Sequence, residues 1–412
     1  MQSDYDLLII GGGLVGASLA CALADQTLRI GLIEALPFTA ASEPGYDERS
    51  LALAYGTRRI FDGLGLWPAI ATLATPIEKV HVSERGGPGF ARLDCRDEGV
   101  EALGYVVEAR ALGTALASRL AELDNVELLC PASLETLTIQ PDTARAEVRW
   151  QDRLSSCTAR LIVAADGARS RVRQQLGIDA VQWDYGQTAI VANVTPQYEH
   201  HNVAFERFTD SGPVALLPMS ENRCAVVCTI ENSDKDTLLA FDDAAFLAFL
   251  QSRFGERLGR FQRAGRRQAY PLLMLKAREH TRPRVAVIGN AAHTLHPIAG
   301  QGFNVGMRDV AVLAEVIADA QHAGQDFGSV GVLTRYDEWR RWDQRQAVAF
   351  TDGLARLFSN PLPPLRHIRN LGLLAFDLLP PVKRLLTRRT MGLTGHLPRL
   401  ARGLPLAAEK GL

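Results

Sequence analysis

Three short segments of this sequence carry residue types that could do chemistry together, and each lies just after an apolar run. The first is Gly11-x-Gly13-x-x-Gly16, with Glu34 eighteen residues beyond the last glycine. Glycines at this spacing permit a tight turn, close approach of a pyrophosphate to backbone N–H groups, and close packing of the following helix, while the carboxylate can accept from ribose hydroxyls. A phosphate there also gains from the positive end of the helix. The pattern predicts dinucleotide binding and by itself does not separate a nicotinamide from a flavin. The second segment is Asp166-Gly167-Ala168-Arg169-Ser170-Arg171-Val172-Arg173. The third is Gly289-Asn290-Ala291-Ala292-His293, leading into His296-Pro297-Ile298-Ala299-Gly300-Gln301-Gly302-Phe303-Asn304. His293 is a candidate acid–base group, but no Ser, Cys or carboxylate partner is evident, so a structural hydrogen bonder is the better reading.

The elements that must position these segments follow from periodicity. Residues 5–10 read as a strand, the glycines as a turn, and the small and apolar residues through Ala24 as a helix; a second strand, 28–33, ends in Glu34. Leu112, Leu116, Leu120 and Leu123 recur at helical spacing after Arg110, and 160–165 is a buried strand entering Asp166-Gly167. Between about 184 and 275 the texture changes to short strands (189–194, 203–208, 214–219, 223–230), as in an antiparallel sheet. Strand 284–288, a Gly-rich loop and a helix with Val310, Leu313, Ala314 and Ile317 on one face then return. The second domain is therefore expected to be inserted into the first.

Composition narrows the function classes. A chain of 412 residues, 47% hydrophobic and 22% charged, has the balance of a globular enzyme of two domains and can bury a large cofactor. The net charge of −1 hides a basic end, with nine Lys/Arg against two Asp/Glu in 361–412; these sit among leucines and not on an aromatic-interleaved stripe, so no nucleic-acid partner is expected. No targeting segment and no uninterrupted apolar stretch of roughly 18–20 residues is visible. Six cysteines without CxxC spacing fit a reduced, cytoplasmic setting, no metal is expected, and no GxSxG elbow suggests hydrolysis. The glycine clusters Gly63-Leu64-Gly65 and Gly86-Gly87 lack strand–helix context, so a nicotinamide reductant has no dedicated motif and is expected to bind transiently.

The three segments together resemble the single-component aromatic hydroxylases of the p-hydroxybenzoate hydroxylase type, along most of the chain. Within that family the sequence is most similar to the ubiquinone-biosynthesis branch, the polyprenyl-methoxyphenol hydroxylases in particular. Asp47-Glu48-Arg49-Ser50-Leu51-Ala52-Leu53, Phe205-Glu206-Arg207-Phe208, Leu216-Leu217-Pro218-Met219-Ser220 and the His296–Asn304 loop carry that likeness. The resemblance implies an α/β fold: a Rossmann-like FAD-binding domain (1–73, 100–182 and 276–345), an inserted antiparallel-sheet substrate domain (74–99 and 183–275), and a C-terminal helical, basic region (346–412). It implies FAD as cofactor, NAD(P)H as transient reductant, and hydroxylation of a polyprenylated methoxyphenol by O₂ through a flavin C4a-hydroperoxide. A flavin-dependent reductase of prenyl double bonds and a flavin-carrying assembly subunit are the alternatives.

Residue by residue, the resemblance places Gly11, Gly13, Gly16 and Glu34 at the adenosine half of FAD, and Arg110 near the pyrophosphate or ribityl chain, against a solvated helix-start arginine as the plainer reading. Asp166 and Gly167 would approach flavin and nicotinamide. Gly289 and Asn290 would meet the ribityl chain, Asn290 standing where the family has Asp: the acceptor stays, the charge goes. A helix beginning near Gly302 would aim N–H groups and its positive end at the flavin, stabilising the anion of the reduced ring. Pro297, Gly300 and Gly302 would form the flavin-edge loop, Gly300 and Gly302 leaving room for the ring, with Phe303 and Asn304 beside them. Phe205, Arg207, Leu217 and Pro218 are expected to line the substrate pocket. Residues 361–412, with Leu371, Leu373, Leu374, Phe376, Leu378 and Leu379 beside Lys383, Arg384, Arg388 and Arg389, are expected to meet other ubiquinone-biosynthesis proteins or the inner face of a membrane peripherally.

Overall fold

The apolar run Tyr5–Ile10 becomes the central strand of a sheet because both of its faces are covered: Leu7, Leu8 and Ile9 have no exposed surface. A computed structural model describes residues 3–36, 49–358 and 363–406, with side chains from 367 onward in the last segment. Tyr5–Ile10 pairs in parallel with Ile30–Ile33 on one side and with the end of Arg153–Ala164 on the other. Val126–Leu129 and Val285–Val287 extend the parallel sheet outward. One face is covered by helix Leu14–Ala22, lying between helices Ala109–Ala121 and Gln301–His322. The other is covered by the antiparallel ribbon Ala132–Ile139 and Ala144–Trp150, which folds back from Arg153–Ala164.

This arrangement decides where a ligand can sit. Gly11, Glu34, Asp166 and Gly289 all stand just past the carboxyl ends of parallel strands, where open α/β sheets bind ligands.

The second sheet has nine strands and is antiparallel, with one exception. Val203–Thr209 runs parallel to Lys79–Glu84, in the register Glu206 to Val82 and Phe208 to Glu84. A parallel pair needs a long crossover, and the chain between these strands supplies it by passing back through the first sheet. The expected strand 189–194 is part of a 17-residue strand, Ala180–Pro196, paired with Gln268–Ala277 and broken only by a register shift between Asp184 and Thr188. The expected boundaries at 182/183 and 275/276 therefore fall inside paired strands, where no linker composition marks them. Helices Lys235–Ala240 and Asp243–Phe254 cover the outer face.

A three-stranded sheet, Ser50–Ala54, Gly104–Glu108 and Ala74–Ile77, lies between the two larger ones. The expected 345/346 boundary falls within the 29-residue helix Val330–Phe358. Helices Pro363–Leu378 and Pro380–Thr390 follow; the first docks on Phe90–Asp94 of the hairpin that this strand makes with Lys79–Glu84, and the second on the short helix Cys95–Glu98. That docking accounts for a glycine pair without an assigned role. A Cβ at Gly87 would stand 2.2 Å from Asn370 Oδ1, which accepts from the Gly89 N–H at 2.7 Å. No helix of the described residues is long and apolar enough to cross a membrane.

Candidate functional site

The glycine turn is built as its spacing predicts. Gly11 has φ +105°, and a Cβ there would lie 2.5 Å from the Ala165 carbonyl oxygen; one on Gly16 would lie 1.9 Å from the Gly11 carbonyl. These two glycines allow backbone segments to touch. Gly13 differs: its φ of −61° suits any residue, and a Cβ would meet nothing within 4 Å. The space it leaves belongs to the cavity described below. Glu34 accepts from the Gly12 N–H at 2.7 Å and from the Leu36 N–H at 2.9 Å, so its carboxylate ties the end of the second strand to the turn.

Asp166 accepts from the Val172 N–H at 3.2 Å, and its other oxygen, Oδ1, is buried without a partner among the described residues. Burial raises its pKa, against the hydrogen bonds from Ser170 and nearby backbone. Arg173, read only as part of the motif, joins the second and third segments by donating to Ala291 O at 2.6 Å and Ala168 O at 2.8 Å.

The third segment is fixed by a residue the sequence reading missed. Asp309, fully buried in helix Gln301–His322, accepts from the Gly289 N–H at 3.1 Å, His293 Nε2 at 2.7 Å, Arg340 Nε at 2.7 Å and Gln344 Nε2 at 2.8 Å. His293 thus has a carboxylate partner after all, sixteen residues on, and it lies off the cavity with 1% exposure, holding structure. Burial works against the Asp309 charge, yet His293 and Arg340 hold its carboxyl well below the usual range. No fixed spacing links these residues, so only the packing of Val330–Phe358 on Gln301–His322 brings them together.

Beyond Pro297 the backbone is left-handed at Ala299 and Gly300, both with φ 58°, which turns the chain into the helix at Gln301. Gly302 follows, and a Cβ there meets nothing within 4 Å. Asn304 clamps the loop: its side chain accepts from the Ala54 N–H at 2.8 Å and donates to Ala52 O at 2.9 Å and Gly300 O at 2.7 Å, leaving 2% exposed. Phe303 stacks near Phe61, ring centroids 6.4 Å apart. His296 lies edge-on to Tyr185 at 5.0 Å, its pKa pushed down to about 4 by burial.

All three segments open on one cavity of about 1020 Å³, through Gly13, Gly167, Gly289, Asn290, Pro297 and the 300–304 turn. Its size is at the upper end of small-molecule sites. Its far wall is the inner face of the second sheet, with Ala189, Val191, Leu217, Val227 and Leu272. Leu373, Phe376 and Leu386 of the C-terminal helices close it. Gly11, Gly16, Glu34, Arg110 and Asp166 stand outside its lining; Arg110 is partly buried and pairs with Glu108 at 3.7 Å, so it is not the solvated arginine of the plainer reading. Asp47 and Glu48 lie outside the described residues, whereas Arg49 lines the cavity, 5.2 Å over the Tyr270 ring.

Two expected pocket residues face the other way. Along Val203–Thr209, Ala204, Glu206 and Phe208 point to the cavity, while Arg207 donates to Phe254 O under the outer helices. Phe205 borders the cavity but packs its ring against Phe254, centroids 5.5 Å apart. Pro218 likewise alternates with Leu217 and turns outward. Strand periodicity of two forces this, and the sequence reading took the wrong phase. Glu206, inside the cavity, was the residue it passed over.

The whole chain has known relatives. Residues 4–351 match the family model described as FAD binding domain. The ubiquinone hydroxylase UbiL of Rhodospirillum rubrum is 41% identical, with 97% of this chain and 93% of that protein covered. The 3-demethoxyubiquinol 3-hydroxylase of Escherichia coli is 33% identical over 94% of this chain and 98% of its own. In fold, the chain is similar to the p-nitrophenol 4-monooxygenase PnpA of Pseudomonas putida, with a TM-score of 0.79 at 21% identity, covering 96% and 100%. The open space beside Gly13 and Gly302 and the Asp166 oxygen, which has no partner among the described residues, fit the FAD that the family implies. The chain belongs to the FAD binding domain family and is an FAD-dependent monooxygenase.

Proposed function

We propose that this protein hydroxylates the ring of a polyprenylated methoxyphenol in ubiquinone biosynthesis, consuming NAD(P)H, a proton and O₂ and releasing NAD(P)⁺ and water with the hydroxylated phenol. The observation that carries this is a cavity with two unlike walls: strand-end glycines on one side and an almost wholly apolar sheet face on the other. The names of the Rhodospirillum and Escherichia relatives support the substrate class.

FAD supplies the oxygen activation when bound. The protein's own contributions are placement and dryness. Gly13 leaves room for a pyrophosphate at the N-terminus of Leu14–Ala22, with Glu34 fixing the turn beside it. Gly289 and Asn290 bring backbone and an amide to the ribityl region, and the partnerless Asp166 oxygen is left to accept a hydroxyl. The Gln301–His322 helix would offer its first N–H groups and positive end to the flavin, as an oxyanion hole does, while Asn304 and Asp309 keep that turn from relaxing. The sheet face and the C-terminal leucines keep water from the reacting ring. Val203–Thr209 and Gly212–Met219 serve the substrate, and 1–73, 100–182 and 276–345 the cofactor.

The C-terminal helices supply the remaining need, since a polyprenyl tail does not travel through water. Their inner face closes the cavity, while Leu371, Leu378, Leu379, Val382 and Leu385 are half or more exposed on the outer one. This supports a peripheral contact with a lipid surface through 367–390.

Oxygen and NAD(P)H consumption by the purified protein, coupled one to one only when phenol is present, tests the reading. Oxygen-independent NAD(P)H use would point to the prenyl reductase, and no NAD(P)H use to the assembly subunit. Mass spectrometry of the quinone precursors that accumulate in a deletion strain identifies the substrate.

A further inference from the structure

Among the apolar side chains of the sheet wall stands one carboxylate with no structural task. Glu206 lines the cavity from the middle of Val203–Thr209. The residues directly opposite it in the neighbouring strands are Ala215 and Val82, neither able to bond it, and no hydrogen bond or ion pair from the described residues reaches it. A carboxylate in such surroundings is costly to keep without a partner, so the missing partner is to be sought in what fills the cavity.

Its distance from the reacting centre follows from strand geometry. Phe208, two residues on and on the same face, shares a buried apolar cluster with Ile298 of the flavin-edge loop and stacks on Phe358. Two residues of strand span roughly 6.6 Å, about the width of one aromatic ring plus its contact. A phenol ring lying against the loop would therefore have its hydroxyl within reach of Glu206.

Resting on the hydroxylase reading above, we propose that Glu206 holds the substrate's phenolic hydroxyl, accepting its hydrogen bond and thereby setting which ring carbon meets the flavin edge. As the bond tightens, the proton moves toward the carboxylate while its electron pair stays on the ring oxygen, which makes the ring a better electron donor; the proton returns when the product leaves. Burial lifts the Glu206 pKa to about 7, so the accepting form is gained as pH rises through neutrality. The other charged or titratable side chains on the cavity wall do not compete. Arg49 lies over the Tyr270 ring, and Arg369, at the end of the Lys79–Glu84 strand, binds Glu84 at 2.6 Å.

The test uses the FAD-loaded full chain, the variants Glu206→Gln and Glu206→Leu, and two probes: 2-methoxy-6-geranylphenol and its methyl ether. Binding is read from the perturbation of the flavin absorbance between pH 5.5 and 8.5, and regiochemistry from the products. The wild type should bind the phenol more tightly as pH rises through about 7, and Glu206→Gln should flatten that profile. Glu206→Leu should weaken phenol binding about tenfold or more, the scale of a lost charge-assisted hydrogen bond, and leave the ether unchanged. Unaltered phenol affinity and pH profile in both variants, while the wild type hydroxylates the phenol, would overturn the role of Glu206 and leave the hydroxylase reading intact. Loss of flavin from both variants would overturn it too, by making Glu206 a structural group. A wild type that neither binds nor oxidises the phenol would remove the hydroxylase reading and this assignment with it.

Discussion

Replacing Asp309 by Ala should cost this protein about 3–5 kcal/mol of stability, because it strips the shared acceptor from a buried cation. Asp309 and Arg340 are 0% and 3% exposed in their side chains, at 2.7 Å, and the same carboxylate serves His293, Gln344 and the Gly289 N–H. Arg340 would keep Asp343 and Val305 O, which limits the loss to one partner of several. Urea unfolding of the FAD-free protein, followed by tryptophan fluorescence, measures the difference. Its pH dependence has a definite sign. The Asp309 carboxyl is held below its ordinary value in the folded state, so its contribution is full above the unfolded pKa, about 4, and fades as pH falls below that. The gap between wild type and variant should be constant from pH 5 to 8 and narrow at lower pH. FAD affinity should fall with stability, since Asp309 holds Gly289 in place. A variant within about 1 kcal/mol of wild type at pH 7, with unchanged FAD affinity, would refute the view that this carboxylate organises the third segment.

Other substitutions separate space from fold. Gly13→Val should leave the apoprotein folded, because its Cβ enters open space, and yet yield a colourless protein; stoichiometric FAD in the folded variant would exclude the pyrophosphate from that place. Gly11→Val should instead destabilise the chain by several kcal/mol, read by the same urea titration, since its Cβ would press into Ala165 at a positive φ. Gly302→Leu should fold and retain the adenine half of FAD while slowing flavin reduction in stopped-flow spectra; an unchanged rate removes Gly302 from the flavin edge. Changing Leu371, Leu378 and Leu385, all exposed, to Ser should weaken flotation with anionic liposomes tenfold or more, at about 1 kcal/mol for each leucine that would enter the lipid surface. Neutralising Lys383 and Arg388 is the poorer test, as both already face acids, Asp377 at 3.4 Å and Glu98 at 3.5 Å.

The parts of the site legible in the sequence are those in which local backbone geometry decides the residue. Gly11, Gly13 and Gly16 read correctly as a turn because strand, turn and helix follow one another within a few residues, Gly16 packing directly on Gly11, and the helix start near Gly302 reads for the same reason. Asp309 and the partial burial of Arg110 are not legible in the sequence because both depend on elements that come from elsewhere in the fold. Glu108 borders Arg110 in sequence, but whether that helix start is buried depends on the sheet it meets; Asp309 waits for a helix twenty residues later to supply Arg340. The register of Val203–Thr209 is a third kind of failure. Phe205 and Phe208 are both apolar, so hydrophobicity offers no phase, and only the outer helices decide that Arg207 turns away from the cavity and that Phe205, at its border, packs on Phe254.

That phase error bears on how specificity is built. Had Arg207 faced the cavity, it would set a further cation in the middle of the sheet wall, suited to a carboxylated ring; Glu206 there, in the role proposed above, offers an acceptor, suited to a neutral ring that carries a hydroxyl. The rest of the wall argues for the same ligand, since Ala189, Val191, Leu217, Val227 and Leu272 offer area and no polarity. The closing helices continue that surface outward through Leu373 and Phe376 to leucines that meet solvent. A ring with one polar group and a long apolar tail matches this sequence of surfaces from the flavin edge to the protein's exterior, whereas a small charged aromatic acid would leave most of it unfilled and bring a charge toward Glu206. A shift of one residue in strand register would therefore replace the acceptor in this wall by a cation.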